Sequence, residues 1–160
     1  NIKLPADSLV GPEGRGFMIA MQALDGARIS IGAIASGLMQ HAMDKAIKYA
    51  KERVTFGKPI YKHQAVGFKF ADMAAKIRAT DLMIWDTCAM KDSGVRFSTE
   101  AAEMKLLLEV CDDCIQIHGG NGYSHEFDVE RFYRDAKLLE IGEGTSEILR
   151  MVISGAVIGR

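Results

Sequence analysis

Apolar residues recur at three- and four-residue steps along most of this chain, and the pattern changes character near position 16. Upstream, Ile2 and Leu4 alternate with polar positions before Pro5, Gly11, Pro12, Gly14 and Gly16, which reads as the end of a strand and a turn-rich lead-in. From Phe17 the period becomes helical. Phe17, Met21, Leu24, Arg28, Ile31, Ala35, Leu38, Ala42, Ala46 and Ala50 share one face, and a helix continuous to Arg53 would be roughly 55 Å long. Gly57 and Pro59 stop it. A second helix is predicted over Gln64 to Asp92, with Val66, Phe70, Met73, Ile77, Ile84 and Cys88 on one face and Ser93-Gly94 as its close. A third starts at Ser98 or Thr99, with Glu100 and Glu103 in its first turns, and runs through Leu107, Cys111 and Ile115 to a glycine-rich stop at 118–122. A short segment from Asp128 to Leu139 follows, then a final helix from Thr145 to Ile158 with Ile148, Val152 and Ile153 at helical spacing. Long helices with short connections predict an all-α fold: an antiparallel up-and-down four-helix bundle, with a strand or loop remnant at residues 1–16 and a C-terminal helix.

Composition narrows the classes. With 160 residues the chain supports one domain, and a hydrophobic fraction of 48% with 26% charged residues is ordinary for a globular protein. Net charge is −1, with no basic stripe, so nucleic acid is not the expected partner. No apolar run is read as long enough to span a bilayer, and no signal peptide is read at the start. The first residue is Asn1, which is the expectation for a fragment or processed product. Three cysteines suit a reducing compartment. Cys111 and Cys114 form a CxxC, but they fall deep in a helical pattern rather than at a helix start, so buried helix-face thiols are expected instead of a redox pair or zinc site.

Three helix ends carry candidate chemistry. Glu143 lies between Gly142 and Gly144, just before Thr145, which suits an N-cap. Neighbours without side chains would let a planar ligand approach the carboxylate while N–H groups of the next helix point at it. Such a group could act as a general base beside a flat cofactor; a loop glutamate beside a helix dipole is the alternative. Arg53 to Ile60 puts an arginine, an aromatic and a glycine at a helix end, suited to phosphate contact and stacking or simply to a cationic helix stop. Gln116 to Tyr123 brings paired glycines that allow close backbone approach, with His118 read as a core or capping histidine.

Together these motifs say more than any one of them. Arg-x-x-Phe-Gly-x-Pro-Ile with His63-Gln64, then Gln-Ile-x-Gly-Gly-x-Gly-Tyr, then Tyr-Arg-Asp-Ala and Glu-Gly-Thr-Ser-Glu-Ile, closely resemble the acyl-CoA dehydrogenase family. The resemblance covers residues 17–160 as that family's C-terminal helical domain, with residues 1–16 as the tail of a preceding β-domain. It implies FAD as cofactor and an acyl-CoA thioester as substrate, converted to the trans-2-enoyl product as a carboxylate takes the Cα proton and hydride passes to flavin N5. Glu143 resembles the catalytic base. The family's other base position corresponds here to Ala27, which cannot serve. Arg53, Thr55, Phe56, Gln64, Gln116, Gly119, Gly120, Thr145 and Glu147 resemble FAD contacts, several across a subunit interface. Asp25, Arg28 and Gly144 resemble substrate-side positions, with Arg28 equally readable as a buried ion-pair partner. Tyr133, Arg134 and Asp135 match a family signature read as structural.

The resemblance further implies a homo-oligomer (dimer or tetramer) and electron-transferring flavoprotein as redox partner. It places the protein in the cytoplasm if bacterial and the mitochondrial matrix if eukaryotic. An acyl-CoA oxidase would use the same base, and a non-catalytic family-derived scaffold is the alternative of a different class. Gly142 stands where relatives often carry tyrosine, so extra room near the acyl group is expected. The isolated chain is expected to be inactive, because half the site would belong to the β-domain.

Overall fold

The computed structural model describes residues 1–103 and 109–159, and Leu107 lies outside them. Its helices are α1 (Gly16–Glu52), α2 (Gln64–Asp92), α3 (Ser98–Glu103), α4 (Glu109–His118), α5 (Val129–Ile141) and α6 (Ser146–Ile158). Helix α1 is the spine. It packs along α2 and α4 and is crossed by α5, while α6 docks on α3.

The spine is built for close approach. Its buried residues include Gly32, Ala35, Ala42, Ala46 and Ala50, with Met39 filling the gap among them. Small side chains let the facing helices come near, and the larger residues come from those partners: Met73 and Ile77 on α2, Val110 and Ile117 on α4, Phe132 and Leu139 on α5. Cys111 and Cys114 belong to this core, fully buried, and the Cys114 thiol donates to the Ala42 carbonyl at 3.1 Å. Burial pushes both thiols up to about 12, so they behave as small apolar groups.

Several expectations need correction. Residues 1–15 hold a 3-10 turn at Ala6–Ser8 and no strand, because nothing among the described residues pairs with Ile2 to Leu4. Strands occur instead where none was expected: β1 (Val54–Thr55) and β2 (Lys58–Pro59) form a minimal antiparallel hairpin in register Val54↔Pro59 and Thr55↔Lys58. Phe17 and Met21 are exposed, so the core face of α1 starts at Arg28. On α2, Thr80 and Thr87 are buried while Ile84 and Cys88 are only half-buried. The threonine hydroxyls donate to the carbonyls of Lys76 (3.0 Å) and Met83 (2.7 Å), which removes the penalty of burying them. On α6 the buried residue is Leu149, not Ile148. Finally, α1 contains an 18-residue window of mean hydropathy 1.2, long and apolar enough by length and composition to cross a bilayer, contrary to the expectation. Only 11% of that window is buried, so it is the open N-terminal part of α1 rather than the alanine seam further along the helix.

Packing this close leaves no room for added volume. Ala42→Leu is expected to cost about 1–3 kcal/mol in denaturant unfolding, and an unchanged midpoint would show that the seam is loose.

Candidate functional site

The residues singled out by sequence fall into three places. The first is the α1–α2 junction. Arg53 ends α1, and its carbonyl accepts the Ile60 N–H at 2.9 Å, closing the hairpin behind it. Phe56 and Gly57 form the hairpin tip, both at positive φ (48° and 77°), as a two-residue turn matching strand twist requires. A hollow of about 340 Å³ opens beside the junction, where Arg53 and Thr55 meet Gly119 and Gly120 from the end of α4. Four predicted cofactor positions therefore converge within one chain. Phe56 does not join them: it is 96% exposed at the tip, with its ring edge-on to His63 at 6.1 Å. Gln64 and Gln116 are likewise exposed and outside the hollow.

The hollow has a rigid back wall that the motifs did not disclose. Tyr49, one helical turn before Arg53, stacks on His118 at 4.2 Å and accepts a hydrogen bond from Asn121 Nδ2 at 2.9 Å. His118 is buried, and its Nδ1–H donates to the Cys114 carbonyl at 2.8 Å, the capping role expected of it. Burial holds its pKa below the usual histidine value. Gly122 makes the chain reversal possible, since a Cβ there would lie 2.5 Å from the Ile115 carbonyl oxygen.

The second place is the start of α6. Thr145 occupies the N-cap position, and its carbonyl accepts the Leu149 N–H at 3.0 Å. The backbone N–H of Glu147 itself, with the Thr145 hydroxyl as the second contribution, holds the Glu147 carboxyl below the usual range. Thr145 and Glu147 line a polar notch of about 290 Å³ with Lys137 and Arg150.

The third is the Glu143 elbow between α5 and α6. Glu143 adopts a left-handed conformation (φ 58°) and Gly144 follows at φ 109°, a region that glycine alone enters readily. A non-glycine residue held there costs about 1–3 kcal/mol, which the surroundings must offset. Arg28, only 6% exposed, donates from Nε to the Glu143 carbonyl oxygen at 3.2 Å and from Nη1 to Asp25 Oδ1 at 2.7 Å. Asp25 also accepts from the Ser98 hydroxyl. This favours the ion-pair reading of Arg28. Oε2 of Glu143 is buried and accepts no hydrogen bond from any described residue. A buried carboxylate oxygen with no donor is the group that a ligand or a substrate proton would meet.

The signature residues Tyr133, Arg134 and Asp135 lie on the surface. Arg134 pairs with Glu130 at 2.9 Å and Asp135 stands 3.9 Å from Arg131, so the charged members of the signature make salt bridges along α5.

Residues 14–158 match the family described as acyl-CoA dehydrogenase, C-terminal domain. The chain belongs to this family. It is 48% identical over 159 residues to a probable acyl-CoA dehydrogenase of Bacillus subtilis (strain 168), covering 96% of this chain and 42% of that protein. It is 45% identical over 161 residues to the mitochondrial short-chain specific acyl-CoA dehydrogenase of Bos taurus, covering 98% and 39%. The butyryl-CoA dehydrogenase structure from Megasphaera elsdenii superposes with a TM-score of 0.93 at 42% identity, over 98% of this chain and 42% of that one. The chain thus spans about two fifths of the length of the relatives it matches.

The lowered pKa of His118 predicts acid sensitivity. Its neutral form is favoured in the fold, so its stabilisation is full above the unfolded value of 6.5 and is lost as pH falls through the lowered folded value. Melting temperature should decline over that range, and His118→Gln should flatten the decline; an identical slope in the variant would assign it to other groups.

Proposed function

We propose that this chain is the C-terminal helical domain of an FAD-dependent acyl-CoA dehydrogenase, with Glu143 as the base that takes the Cα proton of an acyl-CoA thioester. The observation that carries the reading is the buried, unpartnered Oε2 of Glu143 on an elbow in a costly backbone conformation. A proton on carbon is a poor acid, so the base must be placed rather than merely present. The Glu143 N–H is the candidate donor to the thioester oxygen as enolate character develops there. Loss of the Cα proton to Glu143 and of a hydride from Cβ leaves the trans-2-enoyl thioester. Bound FAD would supply the acceptor for that hydride.

The residues fit such a cofactor. Arg53, Thr55 and the side-chain-free Gly119 and Gly120 offer a cation, a hydroxyl and open backbone in one hollow, and a Cβ at either glycine would meet nothing within 4 Å. Thr145 and Glu147 offer a second polar surface beside the elbow. Arg28 and Arg53 stand twenty-five residues apart on α1, or about 37 Å along its axis. A cofactor using both the junction and the elbow is therefore served by two copies of the chain, which supports the homo-oligomer. Phe56, exposed on a left-handed tip, would be the residue to reach a neighbouring copy and stack there. Residues 1–16 fit the tail of a preceding β-domain that would complete the acyl side. Electron-transferring flavoprotein is the redox partner under this reading, while an oxidase would share Glu143.

Glu143→Gln in the full-length protein keeps the shape and removes the basicity. Steady-state dehydrogenation is expected to fall about 10²–10⁴-fold, and unchanged turnover would remove Glu143 as the base.

A further inference from the structure

We propose that Arg28 is a positioning residue for the Glu143 elbow, locked by Asp25 and Ser98; the proposal rests on Glu143 being the base. The elbow needs such a support. Consecutive left-handed residues at 143 and 144 persist only where contacts over-determine them. Arg28 provides one from α1, across 115 positions of sequence: Nε donates to the Glu143 carbonyl. Its Nη1 is committed to Asp25 Oδ1, one helical turn back on α1. The other oxygen of Asp25 accepts from Ser98, the first residue of α3. The planar guanidinium is thus held in orientation on two sides, tying α1, α3 and the α5–α6 elbow together. Its Nη2 lies against the elbow as well, since a Cβ at Gly144 would sit 3.7 Å from it.

The bonding pattern is selective in a way that suits a base. Arg28 grips the backbone oxygen of Glu143, while its charge is met by Asp25. A direct guanidinium–carboxylate pair would stabilise the ionised base and oppose proton uptake. Here the Asp25 carboxylate supplies the counter-charge, and Glu143 Oε2 accepts nothing from the described residues. The cation therefore fixes where the carboxylate is without consuming it. Lysine could not substitute, because a single ammonium lacks the fork that spans a carboxylate and a carbonyl at once.

The test uses the full-length flavin-loaded enzyme, butyryl-CoA and an artificial electron-accepting dye. Arg28→Lys keeps a cation for Asp25, so melting temperature and KM should stay near those of the parent. Its kcat should drop about 10²-fold, the effect of a misplacement of about 1 Å. Asp25→Asn should lower kcat in the same way with KM unchanged. A parental kcat in Arg28→Lys overturns the proposal, as does a loss of kcat matched by loss of thermal stability, which would mark a purely structural ion pair. Should Arg28→Lys fail to fold, Ser98→Ala carries the test: a severalfold fall in kcat supports the lock, and a parental value overturns it. Glu143→Gln serves as the control. If it retains turnover, the base assignment fails; if it is dead while Arg28→Lys is fully active, only the positioning role fails.

Discussion

The small-residue seam of α1 is the constraint on which the rest of this domain depends. Ala35, Ala42, Ala46 and Ala50 are fully buried, and they allow α2, α4 and α5 to pack around a single helix. The close approach brings polar groups into the interface, where they are matched: Ser36 donates to Asp81, and Lys69 donates to Asp113. Both candidate regions are anchored on this helix. Arg28 supports the Glu143 elbow from within it, and Arg53 ends it at the hairpin.

The helices were legible because their apolar residues repeat at the period of a helix face, and the boundaries of α2 were readable from Gln64 and Asp92 alone. The errors have physical causes. A two-residue strand is too short to show alternation, so the hairpin at 54–59 was invisible except as a helix stop. On α6 the run Ile148-Leu149-Arg150-Met151-Val152-Ile153 is apolar on nearly every side, and only packing against the bundle selects Leu149. Thr80 and Thr87 broke the expected face of α2 because a hydroxyl bonded to its own helix buries like an apolar group. The exposed Phe17 and Met21 continue the α1 pattern beyond the part that other helices of this chain cover.

The candidate site divides along the same line. Helix ends and glycines are local features, so Arg53, Thr55, Gly119, Gly120 and Glu143 could be named from sequence. What holds them is long-range. The Tyr49–Asn121 hydrogen bond spans 72 positions, the Asp25–Ser98 bond 73, and no spacing rule reveals either. Tyr49 alone left a trace, standing four residues before Arg53 on the same helical face. Resemblance to a family named the candidates, and the fold supplies the long-range contacts that orient them.

The uninterrupted length of α1 has a consequence for how this domain can vary. A helix advances about 1.5 Å and turns about 100° with each residue. One codon gained or lost between Arg28 and Arg53 would swing the hairpin a quarter-turn or more around the axis and pull the alanines out of phase with their partners. Point changes can be absorbed along this helix where its surface is open, but its residue count between those two arginines cannot drift.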